Sequence, residues 1–123
     1  MKEVTIYADG ACSKNPGPGG WGVVLICGNY KKELSGYSEL TTNNIMELTA
    51  VIEGMNALKE KCKIDVYTDS KYIVDSVTKW LSNWQKNGWK TYNKKPIKNI
   101  EFWGEIVNLI GFHQVNWHWI KGH

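Results

Sequence analysis

The sequence predicts a single α/β domain built on a five-stranded mixed sheet, with three antiparallel strands followed by two parallel ones. Strand periodicity occurs three times before residue 38, and helical and strand periodicities alternate after it. Strands joined by short turns run antiparallel, whereas strands joined through a helix run parallel. A chain of 123 residues is long enough for one domain and too short for two. We therefore expect residues 1–123 to form one sheet with helices packed on it.

Alternating apolar residues define the expected strands, and turn residues separate them. Gly28-Asn29, between the second and third strands, is typical of a hairpin turn. Residues 15–20 contain two Pro and three Gly, so this segment is predicted to be neither helix nor central strand. The five strands are expected at residues 4–8, 21–26, 30–37, 64–68 and 115–119.

Three helices are expected between these strands. Thr41-Thr42-Asn43-Asn44 offers N-caps for the first helix, in which apolar residues recur at helical spacing. Gly111 is expected to end the last helix. The helices are expected over residues 45–62, from a cap at Asp69-Ser70 to a stop at Asn87-Gly88, and over residues 97–110.

Composition and cysteine content exclude several classes of protein. Hydrophobic residues make up 42% and charged residues 22%, which is ordinary for a soluble globular protein and excludes wholesale disorder. No apolar run is long enough to span a membrane, and because strand-like alternation begins directly after Met1-Lys2-Glu3, we expect no secretory signal. Three cysteines without CxxC spacing indicate neither a disulfide framework nor a zinc site, so a reduced cytoplasmic protein is expected. His113 and His118 show no partner spacing and are expected to be structural or exposed.

The positive charge is concentrated in one segment. All fifteen basic residues are Lys, and seven of them lie in residues 71–98, which hold a single acid. Trp80, Trp84 and Trp89 fall in the same segment. Lysines make phosphate contacts that release counterions, and aromatic faces pack on sugars or bases. We therefore expect this segment to bind a polyanion. The alternative is a solvated loop in which Trp80 and Trp84, spaced i,i+4, pack in the core.

Three acidic residues are expected at one edge of the sheet. Asp9 and Asp69 each follow a predicted strand, and Glu47 lies in the first turn of the first helix, beside its buried face. Ligands bind at the carboxyl ends of the strands in open α/β sheets. Three carboxylates raise one another's pKa unless a cation joins them, and oxygen ligands favour Mg²⁺, with Mn²⁺ as a substitute. Two such ions about 4 Å apart can activate water and stabilise the leaving oxygen of a phosphodiester.

Each of these acids also has a structural interpretation. Glu47 lies three residues after Asn44 and resembles part of a capping box, and Asp69 can be an N-cap. Asp9-Gly10 can be an ordinary turn. Only the joint placement of the three acids favours a metal site.

Short segments along the whole chain share their order and spacing with one known family. They are Tyr7-Ala8-Asp9-Gly10-Ala11-Cys12, Asn15-Pro16-Gly17-Pro18-Gly19-Gly20-Trp21-Gly22, Thr41-Thr42-Asn43-Asn44, Met46-Glu47-Leu48, Thr68-Asp69-Ser70, Trp80, Trp84, Gly88-Trp89-Lys90-Thr91, Lys94-Lys95-Pro96, Trp117, Trp119 and Lys121-Gly122-His123. On these motifs the chain resembles a type 1 ribonuclease H of the single-domain bacterial kind.

The resemblance implies a ribonuclease H-like fold and a monomeric endonuclease that cuts the RNA strand of an RNA–DNA hybrid with two divalent metal ions. By the same resemblance, Asp9, Glu47 and Asp69 would bind the metal, with Asp9 bridging both ions. His123 would be the catalytic histidine, which handles protons or helps the product leave.

The resemblance also implies two surfaces that hold the hybrid. The residues expected to contact its backbone and sugars are Asn15, Thr42, Asn43 and Asn44. The residues expected to hold the DNA strand belong to the basic segment and include Trp80, Trp84, Lys86, Trp89, Lys90, Lys94 and Lys95.

One part of the family pattern has no counterpart. The family's fourth metal-binding Asp lies in a helix beyond the Lys-Gly-His motif, and no residue of this sequence follows His123. We therefore expect one metal position to lack a ligand and one sheet face to lack a covering helix. The chain is then either an incomplete copy of a longer protein or a short form that obtains the missing surface from a second copy. A hybrid-binding module with little or no turnover is the functional alternative.

Overall fold

The computed structural model describes residues 1–91 and 93–121 and shows a five-stranded mixed sheet in the order β3-β2-β1-β4-β5. The strands are β1 (Lys2–Cys12), β2 (Gly17–Cys27), β3 (Tyr30–Thr41), β4 (Cys62–Thr68) and β5 (Gln114–Trp119). β2 pairs antiparallel with β1 and β3, whereas β4 pairs parallel with β1 and β5. The predicted fold class is therefore confirmed.

Four α-helices and one π-helical segment follow the first three strands or connect the later ones. They are α1 (Asn43–Asn56), α2 (Lys71–Asp75), the π-helical segment (Ser76–Trp80), α3 (Leu81–Lys86) and α4 (Ile100–Phe112). A single helix was expected from the cap at Asp69-Ser70 to the stop at Asn87-Gly88, and helical residues run without a break from Lys71 to Lys86. That prediction is therefore confirmed, except that the middle turn is π-helical. Among the described residues, no helix combines the length and the apolar character that crossing a bilayer requires.

The core lies between one face of the sheet and helices α1 and α4. Period-2 alternation points Val4, Ile6 and Ala8 of β1 inward, and helical spacing places apolar residues of α1 over them. Trp103 of α4 is completely buried in the same cluster. Burial of such side chains contributes about 1.5–3 kcal/mol each. The sheet and α1 therefore form one rigid unit.

The opposite face of the sheet carries aromatic side chains and a broad cleft. Tyr7 stacks on Tyr67 with ring centres 5.1 Å apart, and Tyr67 stacks on His118 at 4.6 Å. His118 Nε2 lies 2.8 Å from Asp65 Oδ1 in a hydrogen bond. A cleft of about 720 Å³ crosses this face and reaches Asp9. Its lining comes from strands and from residues that follow β4 and β5, so none of the described helices covers it.

The segment rich in Pro and Gly is part of strand β2, which contradicts the expectation for residues 15–20. Its pairing with β3 is interrupted between Gly17 and Gly19, so the missing N–H of Pro18 falls at a bulge. The Pro18 carbonyl still accepts a hydrogen bond from the Ser13 N–H at 2.9 Å. This strand therefore tolerates a proline because, at this position, only the backbone carbonyl takes part in hydrogen bonding.

The boundaries of α1 and α4 also differ from those expected. α1 begins at Asn43 and ends at Asn56, several residues before the predicted end, because β4 already starts at Cys62. α4 begins three residues late because Asn99 adopts a left-handed conformation with φ of 58°. Gly111 lies inside α4 instead of ending it.

Gly10 is the point at which α1 touches β1. A Cβ atom added there would lie 2.5 Å from the Glu47 nitrogen and 2.6 Å from the Met46 oxygen. These are backbone atoms of α1, which cannot move aside as a flexible side chain does. The absence of a side chain at Gly10 therefore sets how closely the helix approaches the sheet.

A buried histidine joins the end of α4 to the start of β4. The Cys62 N–H donates a hydrogen bond of 3.1 Å to Nδ1 of His113, which is 6% exposed. Burial lowers the pKa of His113, and the Met55 carbonyl partly opposes that effect. Protonation of Nδ1 would remove the acceptor of this bond, so the neutral form belongs to the native structure.

We expect Gly10→Ala to lower the free energy of unfolding by about 1–3 kcal/mol, because the added methyl overlaps α1 backbone. Urea unfolding followed by circular dichroism measures this. Gly104→Ala is the matched control, since nothing lies within 4 Å of a Cβ added there in α4. That control should be neutral or stabilising by up to about 1 kcal/mol. Equal stability of the two variants would contradict the packing argument.

We expect acid to weaken the structure through His113. Its folded pKa lies below the ordinary value of 6.5, so unfolding takes up a proton once the pH falls below about 6.5. Stability is fully present above that pH and falls as the pH decreases toward the folded pKa, by at most about 1.4 kcal/mol per pH unit. Thermal melts from about pH 7.5 to about pH 5 should show a steeper loss for the wild type than for His113→Gln. Parallel curves would exclude this role of His113.

Candidate active site

Asp9 and Asp69 stand side by side at one edge of the sheet. The parallel pairing of β1 with β4 ends at the pair Ala8 and Thr68, and the two aspartates are the next residues on the two strands. Neighbouring strands lie about 4.8 Å apart. β1 continues to Cys12, with Asp9 paired to Gly22 of β2, so the interpretation of Asp9-Gly10 as an ordinary turn is wrong.

Glu47 reaches the same edge from α1. It is the fifth residue of the helix and lies in the second turn, not in the first as expected. Thr42 is the N-cap, because its Oγ1 accepts a hydrogen bond of 3.2 Å from the Ile45 N–H. Glu47 is therefore not part of a capping box. The contact of Gly10 with the helix backbone places Glu47 directly beside the residue that follows Asp9.

The charges of the two aspartates act on Glu47. Burial is the largest cause that raises the pKa of the Glu47 carboxyl, and the charges of Asp69 and Asp9 raise it further. The Ser70 side chain opposes these effects and lowers the pKa of Glu47. The structure thus brings together the three acids that the sequence singled out, and it makes the ionised form of Glu47 costly in the absence of a cation.

The three carboxylates are neighbours but are not closed around one point. Across residues 1–91 and 93–121, no three His, Cys, Asp or Glu side chains lie close enough to hold a metal ion as they are arranged here. Their chemistry still fits a hard divalent cation, because all the donors are oxygens and a cation would offset the repulsion at Glu47.

Ser70 is a residue of the site that sequence reasoning missed. It caps α2, since its Oγ accepts a hydrogen bond of 3.1 Å from the Ile73 N–H, and its own N–H donates to Thr68 Oγ1 at 3.1 Å. The N-cap interpretation of Asp69 is therefore wrong. The position of Ser70 after a strand and before a helix was visible in the sequence. Its effect on the pKa of Glu47 depends on tertiary packing and was not visible.

The polar residues expected to contact a hybrid lie at the turn between β1 and β2 and at the start of α1. Asn43 links the two elements: its Oδ1 accepts from the Cys12 N–H at 2.8 Å, and its N–H donates to Asn15 Oδ1 at 3.0 Å. Asn15, Thr42 and Asn43 thus each make a structural hydrogen bond. Asn44 is exposed, and no side-chain hydrogen bond is found for it within the described part of the chain.

The tryptophans of the basic segment are divided between surface and core. Trp80 is 44% exposed, whereas Trp84 packs edge-on against Trp103 with ring centres 5.7 Å apart. Trp89 is also partly buried against the core. The core-packing alternative therefore holds for Trp84 and fails for Trp80. These contacts attach the segment firmly to the body of the domain.

The lysines of the segment point into solvent from a closed loop. A bridge between Lys90 and Pro96 and a hydrogen bond of 2.8 Å from the Thr91 N–H to the Lys95 carbonyl hold its two sides together. All the lysines expected to hold the DNA strand are exposed: Lys86, Lys90, Lys94 and Lys95. Asp75 lies 3.4 Å from Lys79, which is outside this set.

The predicted catalytic histidine, His123, lies outside the described residues. Its role therefore stays a prediction. The described residues place three of the four predicted catalytic side chains, all on elements whose positions are fixed by the sheet or by α1.

The chain matches known proteins over its whole length. The ribonuclease H family model matches residues 1–123. A ribonuclease H of Erythrobacter litoralis is 55% identical over 123 residues, which are 100% of this chain and 85% of that protein. A ribonuclease H of Caldicellulosiruptor saccharolyticus is 56% identical, covering 100% of this chain and 86% of that protein.

A solved structure agrees with these matches. The crystal structure of LC9-RNase H1, a type 1 RNase H with the type 2 active-site motif, superposes with a TM-score of 0.88 at 34% identity. The match covers 100% of this chain and 64% of that one, so this chain spans less than two thirds of that protein. Given the full-length family match and the two bacterial relatives, the chain belongs to the ribonuclease H family.

Proposed function

We propose that this chain hydrolyses the RNA strand of RNA–DNA hybrids at the sheet edge that carries Asp9, Glu47 and Asp69. The observation that carries the proposal is geometric: the β1–β4 pairing ends just before Asp9 and Asp69, and Gly10 lies against the backbone of Glu47, in a member of the ribonuclease H family. A charge cluster that makes the ionised form of one member costly has no structural benefit by itself. It is the arrangement expected of a site that becomes stable when a divalent cation binds.

Mg²⁺ is the ion that suits this site best, and Mn²⁺ is the substitute. Carboxylate oxygens are hard ligands, and magnesium is bound by few carboxylates together with phosphate oxygens. When bound, the divalent ions supply an activated water and stabilise the charge on the leaving oxygen. Asp9 within β1 and Asp69 directly after β4 would offer carboxylates where the β1–β4 pairing ends, and Glu47 would complete the set from α1.

The hybrid would lie between the two polar surfaces on either side of these acids. Asn44 is the best placed of the four polar candidates, because Asn15, Thr42 and Asn43 already make structural hydrogen bonds. Side-chain amides and backbone N–H groups recognise the 2′-hydroxyls that distinguish RNA from DNA. The exposed lysines and Trp80 of the basic segment would hold the DNA strand by phosphate contacts and by packing on sugars.

For His123, we propose the catalytic role that the family resemblance implies. It would handle protons or assist product release. A module that binds hybrids without turnover is the alternative, but relatives named ribonuclease H at 55–56% identity favour the enzyme.

Asp9→Asn should lower the rate of cleavage of a labelled RNA–DNA duplex by about 10³-fold with either Mg²⁺ or Mn²⁺, because it removes a charged ligand. Glu53→Gln is the matched control, since Glu53 is an exposed carboxylate on the same helix as Glu47. That control should cut at the wild-type rate. A folded wild type that binds the duplex and does not cut it with either ion would favour the binding module instead.

Asp9→Asn should also be more stable than the wild type in metal-free buffer. Removing the Asp9 charge relieves one of the causes that raise the pKa of Glu47, so the folded state tolerates ionised Glu47 better. Addition of Mg²⁺ should then raise the thermal midpoint of the wild type and leave that of Asp9→Asn nearly unchanged. Equal responses of the two proteins would contradict a metal site at Asp9.

Replacing Lys94 and Lys95 together by Gln should weaken hybrid binding and reduce the slope of log affinity against log salt by about 1–2. The two lysines are exposed on the closed loop. Lys59 and Lys61 provide the control, because both are exposed in the connection that enters β4 at the opposite end of the sheet. Fluorescence anisotropy with a labelled hybrid measures both slopes. An unchanged slope in the Lys94 and Lys95 variant would exclude phosphate contacts there.

A further inference from the structure

We propose that Trp119 is a positioning residue that holds Asp69 in the orientation required for metal binding. This inference rests on the proposed function of Asp69 as a metal ligand. Trp119 is the last residue of β5 and is 45% exposed. Its indole therefore gains less from burial than a core tryptophan, and its place is determined by specific contacts.

β5 holds the two peptide groups that flank the Asp69 Cα atom. Thr68 of β4 is paired with Trp119, and the Ile120 N–H donates a hydrogen bond of 2.9 Å to the Thr68 carbonyl. The Trp119 Nε1–H donates to the Asp69 carbonyl at 3.1 Å. The first bond continues the ladder between the strands, whereas the second comes from a side chain and reaches past the end of β4. Through the Trp119 side chain, hydrogen bonding from β5 thus continues one residue beyond β4, to Asp69.

A lysine keeps the indole in this place. The Lys71 ammonium lies 5.0 Å from the centre of the Trp119 ring, within the range of a cation–π contact. Lys71 is the first residue of α2, two residues after Asp69. The ring is therefore held between the Asp69 carbonyl at its nitrogen and a cation on its face. One side chain thereby ties the end of β4 to the start of α2.

These contacts matter because the direction of a carboxylate follows from its backbone. The neighbouring peptides are held by Ser70, whose N–H donates to Thr68 Oγ1 at 3.1 Å and whose side chain caps α2. Without the indole bond, the peptide that joins Asp69 to Ser70 keeps only the restraint on its nitrogen side. Loss of partners that orient metal ligands costs about 10–100-fold in metal affinity. The indole acts on the backbone of the ligand, so we expect a smaller factor of about 3–10.

The test compares Trp119→Phe with Trp117→Phe. Phenylalanine keeps an aromatic ring for Lys71 but removes the N–H that donates a hydrogen bond to the Asp69 carbonyl. Trp117 lies two residues earlier on β5, pairs with Val66 and makes no side-chain hydrogen bond to the Asp69 segment within the described residues. Mg²⁺ is titrated into each ¹⁵N-labelled protein while the amide signals of Asp69 and Ser70 are followed by NMR, without substrate.

We expect the Mg²⁺ midpoint of Trp119→Phe to rise about 3–10-fold and that of Trp117→Phe to stay at the wild-type value. In cleavage assays, kcat at saturating Mg²⁺ should change little in Trp119→Phe, whereas the Mg²⁺ requirement should rise. A purely structural role would lower the thermal midpoint without moving the Mg²⁺ midpoint. Equal Mg²⁺ midpoints for the two variants would overturn the proposal.

A measurement on the wild type keeps the proposal testable if Trp119→Phe does not fold. The indole N–H signal of Trp119 should exchange slowly with solvent and shift when Mg²⁺ is added. A Trp119 indole signal that ignores Mg²⁺ while the Asp69 amide responds would overturn the positioning role alone. Absence of any Mg²⁺ response in the wild type would overturn both this inference and the proposed metal site.

Discussion

The parallel pairing of β1 with β4 is the constraint on which the candidate site depends. It runs without a shift to Ala8 and Thr68 and brings two aspartates from distant parts of the sequence to adjacent strand ends. A slip of one residue would turn one of these aspartates to the opposite face of the sheet. The buried side chains of β1 and β4 prevent such a slip, because it would expose Ile6 and Ile64. The energy that fixes the acids therefore comes from the hydrophobic core beneath them.

The third acid is placed by the opposite means, the absence of a side chain. Gly10 lets α1 approach the sheet until Glu47 is half-buried beside two negative charges. This close approach costs stability, since burial and repulsion both disfavour the ionised carboxyl. The packing of α1 offsets this loss of stability, because its inward side chains, such as Leu48 and Val51, are completely buried. Stability from the core is thus used to hold an unfavourable cluster of charge.

The sequence predicted the features that depend on local pattern and missed those that depend on distant partners. Strand alternation and helix spacing yielded the fold class, and strand ends located the two aspartates. The strand conformation of Pro18 depends on a bulge against β3, and the late start of α4 depends on the left-handed Asn99, whose side chain donates to the Tyr72 hydroxyl at 3.2 Å. The effect of Ser70 on the pKa of Glu47 likewise depends on residues that meet only in the folded chain.

The edge-on contact of Trp84 with Trp103 has a mechanical consequence. Trp103 is completely buried, and its indole N–H donates to the Tyr72 hydroxyl at 2.9 Å, so the base of the basic segment is continuous with the domain interior. The span between the lysines and the acids is then fixed by the protein's interior and not by a loose loop. In the proposed function, the lysines would hold the DNA strand and the acids would hold the metal ions that activate water against the RNA strand. A duplex could then meet both surfaces at once only if the spacing of its two strands matched this fixed span.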